Sequence, residues 1–292
     1  MRIKCRGCGF RFPAQGVKEA ESMAKEREAF GWIDAHIHVD KYEPEERERL
    51  LAEAYAAGGE AVVGVSMNLE SSRENRKLAL RHAGRYMPAY GHHPEIPLPE
   101  PDEEKELFAW IRRLHEAGER FAIGEVGLPY YTRTEAEAAG RPFNEGPHLA
   151  LLDRFAALAA ELDRPIVLHA VYEDAEKACD ILERHGMKRA HFHWFKGPEA
   201  TIRLMIARGW HVSVTPDVVY EPEIQALVRA YPLELLMAET DGPWQHEGPF
   251  AGRPTTPAMV RDVIRAVAEL KGLGVEETAA AMLAVTKRFY GI

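Results

Sequence analysis

Downstream of Trp32 one rhythm fills the chain. Short apolar runs rich in Val and Ile alternate with longer amphipathic stretches, the pattern of βα units that build a parallel sheet. The strand candidates are WIDAHIHV, AVVGVSM, YMPAYG, FAIGEVGL, PIVLHAV, RAHFHWF, WHVSVTP and LLMAETD. Between them, PEERERLLAEAYAAG carries Pro and Glu in its first turn and Gly past its end, which are start and stop signals of a helix. DEEKELFAWIRRLHEAG, PHLALLDRFAALAAEL, EDAEKACDILERHG, PEATIRLMIARG and EPEIQALVRAY read the same way, and SSRENRKLALRHAG fills the remaining gap. PAMVRDVIRAVAEL and EETAAAMLAVTKRFY follow the eighth strand and would complete an outer ring. Eight strands alternating with helices predict an α/β fold, a (β/α)8 TIM barrel in one domain over residues 32–292. A doubly wound sheet is the alternative, because element counts do not reveal closure. Long loops at Pro94 to Pro101, Pro129 to Gly146 and Gln245 to Pro257 all follow strands and would crowd the face where such barrels keep their chemistry.

Residues 1–31 break the rhythm and form a separate short N-terminal extension with a Cys-x-x-Cys, Cys5 and Cys8. That pair is half of a structural zinc pattern, which needs two more ligands. A site completed by another residue or subunit, a redox dithiol and an unmetallated extension all stay open. Cys179 has the helical spacing of a buried small hydrophobe. Three unevenly placed cysteines do not make a disulfide framework. The start has no signal-peptide pattern, and no apolar run of 18 residues occurs, so a cytoplasmic protein without membrane partners is expected.

The charge changes the picture twice. With 37 Lys and Arg against 46 Asp and Glu, the chain carries −9, which argues against broad adhesion to nucleic acid. Seven of those basic residues and four of the acidic ones lie in the first 31 positions, so the remainder is more acidic still. A bound cation would reverse that sign locally.

Candidate ligands for such a cation sit at the carboxyl ends of the strand candidates. His36 and His38 are two apart, which turns both imidazoles to one side of a strand. Glu125 lies in AIGEVGL, a run in which a buried carboxylate is costly unless paired or metal-bound. His169 ends PIVLHAV, His193 lies in HFHWFKG, and Asp241 lies in MAETDGPW. His191 shares the alternation of His193, so periodicity does not choose between them. Barrel closure would gather four imidazoles and two carboxylates, ligand types suited to zinc and other divalent transition metals. Two ions bridged by a carboxylate would use all six.

These residues stand in blocks that resemble the TatD-type metal-dependent hydrolases (TatD DNase family) of the amidohydrolase superfamily. IDAHIHVD matches a D-x-H-x-H-x-D pattern, YGHHPE a G-x-H-P, GEVGL an E-x-G-L, HWFKG an H-x-F-x-G and ETDGP an E-T-D-x-P, with VLH between. The resemblance runs from about Trp32 to the C-terminus. It implies two divalent ions (Zn, Mn, Mg, Co or Ni), one held by His36, His38 and Asp241, the other by His169 and His193, with Glu125 bridging. It selects His193 over His191 and places His93 near substrate. Two blocks depart from DNA-acting members: HAVYEDA lacks an Arg after the fifth-strand His, and GRPTTP replaces an R-N-E-P segment.

The expected activity is hydrolysis by water shared between two ions, which lower its pKa. Asp241 is both ligand and proton acceptor. Glu239 is a candidate partner behind the ligands, or a structural carboxylate of the barrel. Trp194, Lys196, Trp244 and Arg253 are candidate substrate contacts. A phosphodiester at a nucleic-acid end, as in a deoxyribonuclease or exonuclease, is the first substrate class; a small-molecule amide, ester or lactone is the alternative. A scaffold that has lost catalysis is disfavoured, because every ligand position holds a competent residue.

Overall fold

The computed structural model describes residues 30–292; Cys5, Cys8 and the rest of the extension through residue 29 lie outside the described residues. Eight strands run in chain order: β1 Trp32–Ile37, β2 Gly59–Gly64, β3 Tyr86–Tyr90, β4 Ala122–Gly127, β5 Ile166–His169, β6 Ala190–Phe192, β7 His211–Val214 and β8 Leu236–Ala238. Each pairs in parallel with the next. The helices between them are α1 Pro44–Ala56, α2 Leu69–Arg81, α3 Pro101–Glu116, α4 Tyr130–Ala138, α5 Gly146–Glu161, α6 Glu173–Arg184, α7 Glu199–Ala207 and α8 Pro222–Ala230. Two more, α9 Val260–Lys271 and α10 Val275–Tyr290, follow β8.

The eighth strand returns to the first through side chains and loop backbone. The Asp34 carboxylate in β1 accepts from the Thr240 amide at 3.0 Å and the Thr240 hydroxyl at 2.5 Å. Just above, the Asp241 amide donates to His36 O at 2.9 Å and the His38 amide to Gly242 O at 2.8 Å. The seam therefore closes at the same residues that carry His36, His38 and Asp241. Burial pushes the Asp34 carboxyl up to about 7, against the pull of the Thr240 and His36 hydrogen bonds.

Two apolar layers flank the sheet. Ile33, Ala35, Val63, Met87, Val167 and Met237 pack with Phe289 and Tyr290 of α10. Ile37 instead packs with Leu50 and Leu51 of α1 and Leu78 of α2. Strict alternation from Ile33 and Ala35 would keep Ile37 in the first layer. The register of β1 with β2 is irregular between Asp34 and Ile37, and the extra residue shifts the phase there.

One segment differs from the expectation. The stretch from Pro129 to Gly146, read as loop, contains the nine-residue helix α4. Its first residues, Tyr-Tyr-Thr, offer no local N-cap, and no side chain at Pro129 caps it. The cap comes from Glu95, whose carboxylate accepts from the amides of Tyr131 at 2.9 Å and Thr132 at 2.8 Å. A cap supplied from 36 residues away leaves no local signal. Cys179 is fully buried in α6, as its spacing indicated.

Replacing Asp34 by Ala leaves two buried donors of Thr240 without an acceptor. The expected cost is about 2–4 kcal/mol, read as a lower urea midpoint of the metal-free protein at unchanged slope. An unchanged midpoint would show that the seam does not depend on this carboxylate.

Candidate metal centre

Glu125 stands in β4 with no exposure to solvent. Its two oxygens face different partners. Oε2 lies 3.1 Å from His36 Nε2 and 3.2 Å from His38 Nε2. Oε1 lies 2.8 Å from His193 Nε2, 3.2 Å from His169 Nδ1 and 3.2 Å from His93 Nε2. Asp241 Oδ1 completes the first group, 3.4 Å from His36 Nε2 and 3.5 Å from His38 Nε2. The six residues singled out as ligands thus converge at one end of the barrel. His36 belongs to β1 and His169 ends β5, whereas His38, His193 and Asp241 lie just past β1, β6 and β8.

Close packing fixes these positions. A Cβ on Gly127 would lie 1.9 Å from the carbonyl oxygen of His169, so only glycine lets β4 approach β5 this closely. Trp194 and Asp241 take positive φ, 38° and 52°. Such non-glycine conformations are held only where the surroundings fix them. For Trp194 the fixing groups are carboxylates: its amide donates to Glu239 Oε1 at 2.6 Å and its indole N–H to Asp217 Oδ2 at 2.9 Å. Asp217 also accepts from the Tyr220 hydroxyl and pairs with His246 at 2.9 Å.

The hydrogen-bond partners sort the imidazoles. His169 Nε2 faces the Glu95 carboxylate at 3.2 Å and so carries a proton, while Nδ1 faces Glu125 Oε1 and His193 Nε2. His193 turns Nδ1 toward Glu239 Oε1, 3.8 Å away and beyond hydrogen-bond reach, and Nε2 toward Glu125. His93 is opposite in sense. Its Nδ1 accepts from the Glu95 amide at 3.1 Å, so Nε2 carries the proton, 3.2 Å from Glu125 Oε1. His191 uses both nitrogens elsewhere, with the Tyr290 hydroxyl at 2.7 Å and the Ser213 hydroxyl at 2.5 Å. That geometry resolves the choice that alternation left open.

His169 Nδ1, His193 Nε2 and Glu125 Oε1 therefore point into one space, with the two ring nitrogens 3.2 Å apart. A cation placed there would be met by all three. In the other group, both nitrogens of His36 and of His38, both oxygens of Glu125 and Asp241 Oδ1 are buried without a hydrogen bond, a pattern that calls for an explanation by metal or ion. Metal–ligand bonds of 2.0–2.2 Å at tetrahedral angles separate neighbouring ligand atoms by about 3.3–3.5 Å, close to most of the separations above. His36, His38 and Asp241 form one cluster of suitable donors, and Glu125, His169 and His193 another. The residues present fit a divalent metal centre.

The electrostatics are divided. Burial alone raises a carboxyl pKa, yet the surrounding His193, His93 and His36 hold Glu125 well below its usual range, and His36 lowers Asp241. Against the pull of burial, Glu125 and Asp241 raise His36 well above the usual imidazole range, and Glu125 and Glu95 raise His169 to about 9. Burial drops His193 to about 4, which keeps it neutral and able to bind metal. Burial pushes Glu239 up to about 8, although the Ser213 hydroxyl at 2.5 Å and the Trp194 amide pull the other way.

A cleft of about 450 Å3 opens over the second cluster. Besides His93, His169, His193 and Asp241, its walls are Glu95, Tyr131, Val171, Trp194, Trp244 and Gln245. Tyr131 and Trp244 are about half exposed. Lys196 and Arg253 are not part of this lining; Lys196 O accepts from the Tyr172 amide, and the Arg253 guanidinium lies over the Phe250 ring. Among the described residues no Lys or Arg lines the cleft. Val171, two residues after His169, is an apolar part of that lining. The sequence reading missed Glu95 and Tyr131. The one available signal for Glu95 was an acidic residue directly after His-His-Pro; Tyr131 had none, since its placement depends on α4.

The TatD-related DNase family matches residues 33–291. An uncharacterized metal-dependent hydrolase of Haemophilus influenzae is 35% identical over 258 residues, covering 88% of this chain and 98% of its own. A 3′–5′ single-stranded DNA/RNA exonuclease of Erwinia amylovora is 28% identical, with 85% and 94% covered. Among solved structures, a TatD homologue from Escherichia coli superimposes with a TM-score of 0.75 at 24% identity, covering 89% of this chain and 98% of that one. The match over almost the whole barrel, together with the ordered histidines and carboxylates at its mouth, means that the chain belongs to the TatD-related DNase family.

Proposed function

We propose that the protein is a metal-dependent hydrolase that cleaves a phosphodiester bond at the end of a nucleic-acid strand. The observation that carries the metal dependence is Glu125, whose two oxygens each face a separate set of imidazoles. His36, His38 and Asp241 would hold one divalent ion, His169 and His193 the other, and Glu125 both. Ions held there supply Lewis acidity and acidify bound water.

The chain's own groups do the rest. Asp241 is the carboxylate shared by the first cluster and the cleft lining, which suits it to accept the proton of the attacking water. The His93 Nε2–H faces Glu125 Oε1, while His36 faces Oε2. Tyr131 and Trp244, half exposed on the cleft wall, offer faces for an unpaired base, and stacking of this kind is sequence-tolerant. With no Lys or Arg in the lining, the phosphate is balanced by the ions. Binding of a strand should then depend only weakly on salt, with a log–log slope shallower than about −1, since released counterions scale with Lys and Arg contacts. The same lining favours the second reading, an ester, lactone or amide of a small molecule, because among the described residues it holds no Lys or Arg to grip a phosphate backbone.

Two experiments test this. Thermal unfolding with Zn or Mn in hundredfold excess over Kd should exceed that of chelator-treated protein by about 2.7 kcal/mol for each ion, and Glu125→Gln should lose most of the difference. Equal melting with and without metal would refute the centre. Metal-loaded protein should shorten a single-stranded oligonucleotide or split a chromogenic phosphodiester, and Asp241→Asn should lower kcat by about 100- to 10,000-fold. Turnover of esters, lactones or amides alone would transfer the assignment to the second substrate class.

A further inference from the structure

We propose that Glu95 is a positioning residue that decides which of two neighbouring histidines is a metal ligand and ties that ligand to the substrate wall. The inference rests on the metal centre described above and not on the identity of the substrate.

Glu95 touches both histidines with different groups. Its backbone N–H donates to His93 Nδ1 at 3.1 Å, and its carboxylate oxygen Oε1 accepts from His169 Nε2 at 3.2 Å. In a neutral imidazole one nitrogen carries the proton and the other the lone pair. The first contact therefore leaves His93 with a proton facing Glu125, and the second keeps a proton on the far nitrogen of His169, so that the neutral ring, the form that binds metal, has its lone pair facing Glu125. Both rings lie 3.2 Å from the same oxygen, Glu125 Oε1. Distance alone does not distinguish them; Glu95 does. Carboxylates that hold the far nitrogen of a ligating histidine set its tautomer and its basicity.

The same carboxylate carries a second load. Oε1 also accepts from the Tyr131 amide, and Oε2 accepts from the Thr132 amide at 2.8 Å and the Thr132 hydroxyl at 2.6 Å. These are the first amides of α4, where a negative charge is favourable. Tyr131 thereby stands beside His169, with ring centroids 5.9 Å apart in an edge-on arrangement. Further along α4, Arg133 binds Glu173 at 2.7 Å and Asp174 at 3.1 Å, so the helix is held at its start by Glu95 and to α6 by Arg133. One residue thus links His169, the helix that carries Tyr131, and the open cleft.

Glu95→Gln removes the charge and puts an amide NH2 where at least one donor now points. Cobalt titration of the metal-free protein, followed by visible absorption and calorimetry, should show one of two ions binding about 10- to 100-fold more weakly, the other unchanged. Zinc-loaded protein labelled with 15N should show coordination through His169 Nδ1 and an uncoordinated His93. Thr132→Val keeps the Glu95–His169 pair and should retain both cobalt affinities. Wild-type cobalt affinities in Glu95→Gln, an equal loss in Thr132→Val, or coordination through His93 would each overturn the proposal. The nitrogen spectrum is measured on the wild type, so the test stands even where Glu95→Gln fails to fold. None of these measurements uses a substrate, so failure of the phosphodiester reading leaves their outcome intact.

Discussion

A carboxylate with no access to water governs this molecule. Glu125 sits inside a ring of imidazoles, and burying its charge is tolerable only because something of opposite sign answers each oxygen. That requirement fixes the geometry around it. β1 and the residue just past its end must deliver two histidines to Oε2 while β5 and the segments after β3 and β6 deliver three to Oε1. The barrel must close where Asp241 can join them. The seam is accordingly made by the ligand-bearing residues themselves, through the Asp241 amide on His36 O and the His38 amide on Gly242 O. Closing the barrel and assembling the site are one event in this chain.

Around that centre, carboxylates hold the aromatic walls. Glu239 and Asp217 hold Trp194 in a conformation it would otherwise avoid. Glu95 holds the helix that carries Tyr131. Each carboxylate is also one contact from a histidine of the cluster or its neighbourhood: Glu239 faces His193, Asp217 pairs with His246, and Glu95 faces His169. Wall and centre share supports, so a change at one is felt at the other. This coupling, rather than a field of basic residues, is how the acidic chain is equipped to receive a substrate. Its net charge of −9 opposes long-range attraction of nucleic acid, and the cleft adds no Lys or Arg to offset it.

Much of the fold was written locally. The eight strands and the helices flanking them came from hydrophobic period, because a parallel strand buried on both faces must be apolar throughout and a ring helix on one face only. The ligand types came from chemistry at strand ends, since His36, His38, Glu125, His169 and Asp241 stand in apolar runs where a polar group needs a reason. Three features left no mark in local periodicity. Helix α4 lacks one because its cap is Glu95. His191 and His193 were equivalent by alternation, and only the family pattern favoured His193; in the structure Tyr290 and Ser213 claim both nitrogens of His191. The change of phase between Asp34 and Ile37 left no mark in the residues that undergo it.

The sequence by itself determined the βα repeat and the set of candidate ligands, since both follow from short-range periodicity and from the cost of burying polar groups; closure of the sheet into a barrel was left to the tertiary structure. Tertiary structure alone decided which nitrogen of each histidine carries a proton, which carboxylate faces two clusters and which aromatic rings border them. Those are properties of pairs far apart in the chain, such as Glu95 with His169 and Asp34 with Thr240. No local pattern records a hydrogen bond whose partner arrives only when the barrel closes.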